Sequence, residues 1–580
     1  MNLLDRRIKV ASGREKADLV FKNGWIVNVF TMKLEKGDVA ICQDKICGIG
    51  LYEGIEEIDC EGKYIVPGLI DSHIHIESSM LHPSEFANTV VPHGTTTIVT
   101  DPHEISNVSG TDGLEFMLDA TTELPLDVYF LLPSCVPSSK FDESGALLDA
   151  EKLKPYYEHP RVLGLAELMD YKGTISGDKE ILKKLNDASG KIVDGHAPGL
   201  TGKDLCAYVV AGVLSDHECT TIEEALERIR LGQMVMIREG TAARNLEDLI
   251  DLFKEPYYQR CMLATDDKHP SDLLKDGHID YIIRKAVSLG ADPIRAIVMG
   301  SYQPARYFGL KDKGAIAPNY AADLLVISNL KKFTVEKVYK NGHLVAEKGM
   351  VSNHLSNISA SKSDKYEKIY DSFHLEKLRS SDFYIQEPVN QPIKGIRVIG
   401  LIFNQIGTTE EIEGYNQENN GIDVSKDILK LAVIERHKST GNIGLGYVSG
   451  YGLQSGAIAS SVSHDSHNLI IIGTNEDDMA LAANTVQEMK GGYVLVNNGA
   501  IIDKLSLPIA GLMSDKKAVD LAMDMDRIKQ KAYTLGIAEG VDPFMTLAFI
   551  SLPVIPKLRL TTKGLVNVEE QKLVPIFLEN

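Results

Sequence analysis

The stretch Val66-Pro67-Gly68-Leu69-Ile70-Asp71-Ser72-His73-Ile74-His75 carries an apolar run to a Pro-Gly pair, resumes as a short strand and ends on two histidines two residues apart. Side chains at i and i+2 of a strand leave the same face. His73 and His75 therefore aim at one point beyond the strand's end, as two imidazole ligands of a single metal ion must. The other donors of such a site would have to stand at the ends of other strands.

Downstream, from 67 to 310, short apolar runs alternate with helical patterns. Strands are predicted from Thr96 to Val99, Val128 to Leu132, Val162 to Leu165, Lys191 to Val193, Gly212 to Leu214, Met234 to Ile237 and Cys261 to Ala264. A helix is predicted from Thr221 to Leu231, with Ile222, Ala225, Leu226 and Ile229 on its apolar face. With the strand before His73 this makes about eight βα units, the rhythm of an α/β chain folded as a (β/α)₈ TIM-like barrel. Chemistry in such barrels sits at the C-terminal strand ends. Those ends supply Glu167, His196, His217 and Asp266. Four histidines and two carboxylates exceed what one tetrahedral ion uses, so a binuclear centre bridged by a carboxylate and a hydroxide is the natural count.

Alternating strands flank the insertion. Residues 1–66 and 311–352 are expected to complete one small β-sandwich domain, each segment carrying a Lys-Asn-Gly after a strand, at Lys22-Asn23-Gly24 and Lys340-Asn341-Gly342. Asn23-Gly24 is a hairpin signal. The polar, Ser-rich run from Ser352 to Asp364 reads as a linker or irregular crossover. Residues 370–580 form a C-terminal α+β domain, with a strand from Ile396 to Ile402 and a helix from Asp477 to Lys490 behind Leu469-Ile470-Ile471-Ile472. The glycines from Gly441 to Gly450 lack dinucleotide-loop spacing and read as turns.

A chain of 580 residues implies two to four domains. Its net charge of −20, with no block of basic residues, argues against nucleic acid or an anionic membrane as partner. The N-terminus lacks an apolar core of signal-peptide length, and no run is long enough to span a bilayer. Seven cysteines without a Cys-X-X-Cys pair form neither a disulfide framework nor a zinc knuckle and fit the reduced cytoplasm. Cys206, Cys219 and Cys261 are assigned to buried packing.

On these residues the chain resembles the amidohydrolase superfamily. Five local motifs are similar to those of the bacterial adenine deaminases: His75-Ile76-Glu77-Ser78-Ser79-Met80, Asp101-Pro102-His103-Glu104-Ile105, Asp194-Gly195-His196-Ala197-Pro198-Gly199, Thr265-Asp266-Asp267-Lys268-His269-Pro270 and Ser463-His464-Asp465-Ser466-His467-Asn468. The resemblance covers nearly the whole chain. It implies that His73 and His75 ligate one ion with Asp266, and His196 and His217 the other. Glu167 takes the place of the carbamylated lysine that bridges the ions in many members, which counts against hydantoinase and dihydroorotase activity.

The implied reaction is hydrolytic deamination of adenine to hypoxanthine and ammonia, a purine-salvage step, by a metal-activated hydroxide. Two divalent ions per subunit are implied, with manganese or iron favoured over zinc by resemblance alone. Asp266, a ligand with a free oxygen, would accept the hydroxide's proton. Glu104, His103 and Glu218 are candidates to face the ring, with His103, Glu104 and Asp267 binding substrate and Ser78 and Ser79 supporting the site. His464 and His467 could reach the barrel mouth from the last domain or a neighbouring subunit, although a plain structural role is the expectation. A hydrolase of cyclic amides or other heterocycles is the alternative. Adenine is the expected partner, in a homodimer or larger homo-oligomer.

Overall fold

The computed structural model describes residues 2–241, 243–352, 364–389, 392–403 and 405–578. Residues 353–363, most of the linker expected between Ser352 and Asp364, lie outside the described residues.

Strands Ala17–Asn28, Lys33–Cys42, Lys45–Gly50, Gly54–Asp59 and Tyr64–Pro67 share one nine-stranded sheet with Leu324–Ile327, Val335–Lys340, His343–Glu347 and Met350–Val351. Tyr64–Pro67 pairs antiparallel with Leu324–Ile327, so the two segments are joined edge to edge. Period-two alternation sorts the side chains: Leu19, Phe21, Val39 and Ile41 enter one apolar cluster, and Val20, Ala40 and Cys42 another. The expected sandwich thus takes the form of a single hydrogen-bonded sheet with an apolar cluster on each face. The two Lys-Asn-Gly sites differ. Asn341 and Gly342, with φ of 49° and 81°, turn a true hairpin between Val335–Lys340 and His343–Glu347. Asn23-Gly24 makes no turn: strand Ala17–Asn28 runs through it with a register shift between Phe21 and Gly24. There Asn23 (φ 61°) donates its N–H to Asp38 at 3.0 Å, and a Cβ on Gly24 would meet Ile65 at 2.7 Å. The predicted hairpin is therefore a bulge pressed against the core.

Eight parallel strands follow: β1 (Leu69–Ile74), β2 (Thr95–Thr100), β3 (Asp127–Leu132), β4 (Val162–Leu168), β5 (Ile192–Gly195), β6 (Ser215–Asp216), β7 (Met234–Arg238) and β8 (Cys261–Ala264). Strands β1 to β5 pair in sequence order, as do β6 to β8. The seams meet where Leu214 donates to the Val193 carbonyl at 3.3 Å and Asp266 to the His73 carbonyl at 2.9 Å. Ile70, Val99, Leu131, Ala166, Met236 and Met262 form one buried cluster among the strands. The strand expected at Gly212 to Leu214 starts instead at Ser215, because Gly212 (φ 102°) caps the preceding helix Gly202–Val210. The predicted helix at 221–231 spans Ile222–Arg230, with Thr221 Oγ1 accepting the Glu224 N–H at 3.2 Å.

The last domain centres on a second nine-stranded sheet that includes Gly395–Leu401 and Leu469–Gly473, with helix Glu476–Glu488 packed on it. Of the glycines expected as turns, Gly441 and Gly450 flank the strand Ile443–Ser449 at φ of 74° and 86°, whereas Gly444 and Gly446 lie on it. A Cβ on Gly444 would come 1.8 Å from the Thr561 carbonyl oxygen, so glycine there admits a close neighbour rather than a turn. The seven cysteines are unpaired; Cys219 and Cys261 are buried as expected, whereas Cys206 is exposed. No described helix is long and apolar enough to cross a membrane.

Candidate metal centre and active site

Strand periodicity brings His73 and His75 together: their Nε2 atoms are 3.3 Å apart. Each ring is oriented by its other nitrogen. His73 Nδ1–H donates to Asp194 Oδ2 at 2.8 Å, and His75 Nδ1–H to the Asp101 carbonyl at 3.0 Å. As neutral imidazoles with Nδ1 protonated, both would turn Nε2 lone pairs toward the same point, the arrangement that suits a bound cation.

The neighbouring donors complete two triads. His75 Nε2 is 3.3 Å and His73 Nε2 3.9 Å from Asp266 Oδ1. In the second triad, His196 Nδ1 is 3.3 Å from His217 Nε2, and these stand 2.8 and 3.4 Å from Glu167 Oε2. Glu167 Oε1 turns the other way, 3.2 Å from His75 Nε2. Donors about 2.1 Å from one ion stand roughly 3.0–3.4 Å from each other. Most of these separations fall in that range, His73–Asp266 being longer at 3.9 Å and His196–Glu167 shorter at 2.8 Å, so each triad could hold a metal ion, with Glu167 near both.

Local backbone sets these positions. Glu167 lies on β4 itself, His196 and His217 directly follow β5 and β6, and Asp266 follows β8 in the left-handed region (φ 58°), which aspartate tolerates better than most residues. Burial opposes the charge on Glu167, yet His196, His217 and His75 hold it well below the usual carboxylate range. Burial likewise opposes the charge on His196, and Glu218 and Glu167 overcome it, raising it to about 9.

Arg238, the last residue of β7, was not among the predicted site residues. Its guanidinium forks onto Glu218, at 2.6 Å from Oε1 and 2.8 Å from Oε2, and also donates to Asp266 Oδ2. The oxygen of Asp266 expected to be free is thus engaged. A cationic residue closing an apolar strand, Met234-Val235-Met236-Ile237-Arg238, was the available signal, because reading the strand ends at β2 and β7 would have found Asp101 and Arg238 as well. Asp194, which precedes His196 in a quoted motif, was likewise not assigned its part in orienting His73.

Beside the triads lies an enclosed pocket between the strand ends and the last domain. Glu77, Ser78, Glu104, Asp267 and His269 line one side, and His464, His467, Tyr493 and Met545 the other. His103 stands behind Glu104, with Nε2 3.4 Å from its Oε1 and Nδ1 2.9 Å from Asp101. Glu218 lies with Arg238 on the second triad's side, 3.5 Å from His196 and His217. Of the three ring-facing candidates, only Glu104 lines the pocket. Ser78 donates to Asp267, and Ser79 to the Ile76 carbonyl at 2.6 Å.

His464 and His467 do more than pack. Both reach Glu104 within the same chain, His464 through Nδ1 and His467 through Nε2. The Ser463 backbone N–H donates to His467 Nδ1 at 3.2 Å, so the proton sits on Nε2 and is donated to Glu104. Arg436 and His437 hold this loop by the carbonyls of His467 and Ser466, the latter at 2.7 Å. Burial raises Glu104, but His464, His467 and His103 hold it well below the usual range. Burial lowers His464, but Glu104 outweighs it and raises it to about 9; burial takes His467 down to about 4. The cluster is an ionised Glu104 between a charged His464 and a neutral His467.

Residues 64–345 match the Amidohydrolase family, and residues 405–572 the Adenine deaminase C-terminal domain. "Adenine deaminase 2" of Carboxydothermus hydrogenoformans is 46% identical over 98% of this chain and 99% of its own. The "Adenine deaminase" of Desulfatibacillum aliphaticivorans is 44% identical over 99% of each chain, and that of Petrotoga mobilis 44% over 98% and 99%. The chain belongs to the adenine deaminase family.

Proposed function

We propose that this protein hydrolyses adenine to hypoxanthine and ammonia, with two divalent cations held at the two donor triads. The observation that carries this reading is the pair of facing imidazole couples either side of Glu167, beside an enclosed pocket with a Glu104–histidine cluster on its wall. His73, His75 and Asp266 would hold one cation and His196 and His217 the other, with Glu167 placed within reach of both. Four imidazoles and two carboxylates suit manganese, iron or zinc, and manganese or iron is favoured by family resemblance alone. Bound there, the cations supply Lewis acidity and bring the pKa of water toward neutrality.

The chain's own groups manage the protons. When the Arg238 guanidinium turns wholly onto Glu218, Asp266 Oδ2 is released to accept a proton from the attacking water. Addition at C6 places electron density on the adjacent ring nitrogen. The charged His464, paired with Glu104 on the pocket wall, supplies the proton taken up there, and His103 and Glu218 support these groups. Asp266 passes the proton it took from the water to the exocyclic amine and takes the remaining hydroxyl proton as the tetrahedral carbon collapses, so the C6–N bond breaks with release of ammonia and the product keeps the ring N–H. Asp267 orients the purine. The frame for this chemistry is a (β/α)₈ barrel at 67–310, with a split sheet domain at 1–66 and 311–352 and a covering domain at 370–580, acting in the cytoplasm.

Incubating manganese-loaded protein with adenine, adenosine and hydantoin while following ammonia tests the assignment. Release from adenine is expected. Ammonia from adenosine but not adenine would sink it, and hydantoin opening without ammonia from adenine would favour a cyclic-amide hydrolase.

A further inference from the structure

Glu77 sits on the 3₁₀ turn Ile76–Ser79, between the His73/His75 couple and the pocket wall. Its Oε1 accepts the Ile105 backbone N–H at 3.2 Å, in the first turn of helix His103–Ala120. Its Oε2 is buried and has no hydrogen-bond partner in the chain, and the residue is only 3% exposed. Leaving a buried carboxyl oxygen unpaired costs about 1–3 kcal/mol or more, so such an atom on a pocket-lining residue points to a partner brought by the ligand. Neighbouring oxygens are already engaged: both Glu104 oxygens by His464 and His467, and Asp267 Oδ1 by Ser78. Met80, Val462, Leu512 and Met545 add apolar walls.

If adenine is the substrate, as proposed above, it brings two kinds of N–H donor. The 6-amino group must lie at the donor triads, where it departs. The other is the single N–H of the imidazole ring, on the opposite edge. We propose that Glu77 Oε2 accepts this ring N–H and thereby selects the free base over nucleosides. In a nucleoside the sugar replaces that proton, leaving Oε2 buried, unpaired and pressed against a bulky substituent. Sites built to pair a substrate N–H reject analogues lacking it far more strongly than apolar pockets reject a change of size.

The test uses two unreactive probes, purine and 9-methylpurine, which differ at the ring N–H. Equilibrium dialysis with the metal-loaded full chain is expected to show purine bound at least about 10-fold more tightly. A wild-type preference below about threefold overturns the proposal without any variant. In Glu77→Gln the amide oxygen must stay toward the Ile105 N–H, so its NH₂ would confront the ring N–H. Purine affinity is then expected to fall about 10- to 100-fold with 9-methylpurine little changed, collapsing the ratio. A preserved ratio in the variant also overturns it. Deamination of adenine by wild-type protein that binds both probes equally would sink the Glu77 assignment alone. Absence of both purine binding and ammonia release would remove the adenine reading and this inference with it.

Discussion

Two histidine–carboxylate clusters lie close together, one at the strand ends and one on the wall of the neighbouring pocket, and their tautomers set them apart. At the strand ends, His73 and His75 give their Nδ1 protons outward, to Asp194 and the Asp101 carbonyl, and turn lone pairs toward each other. In the last domain the Ser463 N–H fills the lone pair of His467 Nδ1, so Nε2 presents a proton to Glu104. The same residue types thus suit a cation in one place and hold protons in the other. The partner of the distal ring nitrogen decides which.

The sharpest way to separate them is to remove one member of each. His73→Ala is expected to lose bound metal and to cut turnover by about three orders of magnitude or more, read by elemental analysis and ammonia release. Unchanged metal and turnover would refute the first triad. Glu104→Gln is expected to retain full metal content while kcat falls about 10²- to 10⁴-fold, because the charge that keeps the proton on His464 is removed. Loss of metal in that variant would merge the two clusters into one.

Asp194→Asn probes the tautomer itself. Asp194 Oδ1 already accepts the Gly195 N–H at 2.9 Å and the Ser215 hydroxyl, so an amide NH₂ must occupy the Oδ2 position. It would donate to His73 Nδ1 and drive the ring proton onto Nε2. Metal affinity is expected to fall about 10- to 100-fold, measured by competition with a chelator.

The smallest effect concerns stability. His464 is raised from an ordinary 6.5 to about 9, so its pairing with Glu104 stabilises the fold fully below pH 6.5 and is lost as pH rises through about 9. His464→Gln is therefore expected to be destabilised by up to about 3 kcal/mol near neutrality. The gap from wild type should close by pH 10 in denaturant titrations. A pH-independent gap would show that the imidazolium is not what matters.

Much of the first cluster is legible in the chain because strand geometry is local. Period two couples His73 to His75, and the strand-end rule picks out Glu167, His196, His217 and Asp266 without any knowledge of contacts. Arg238 closes β7 and Asp194 stands on β5 two residues before His196, so the same strand geometry positions both. The second cluster is different in kind. Glu104 and His464 are separated by 360 positions, and no spacing rule predicts that a loop of the last domain meets the end of β2. Lys22-Asn23-Gly24 shows a further limit: the tripeptide that turns a hairpin at Lys340-Asn341-Gly342 forms a bulge here, because Ile65 and Asp38 leave room for nothing else.

The antiparallel pairing of Tyr64–Pro67 with Leu324–Ile327 also constrains how the chain comes off the ribosome. Roughly 260 residues separate the partners, which at about 5–20 residues per second takes some 13–50 s to synthesise. Throughout that interval the amino-terminal half of the sheet has an unsatisfied edge, the kind that recruits strands from other nascent chains. The central unit can condense meanwhile from its own nearer contacts, and the sheet closes behind it. Yield on expression should therefore be limited by how long that edge waits, and slowing translation between the halves should increase aggregation.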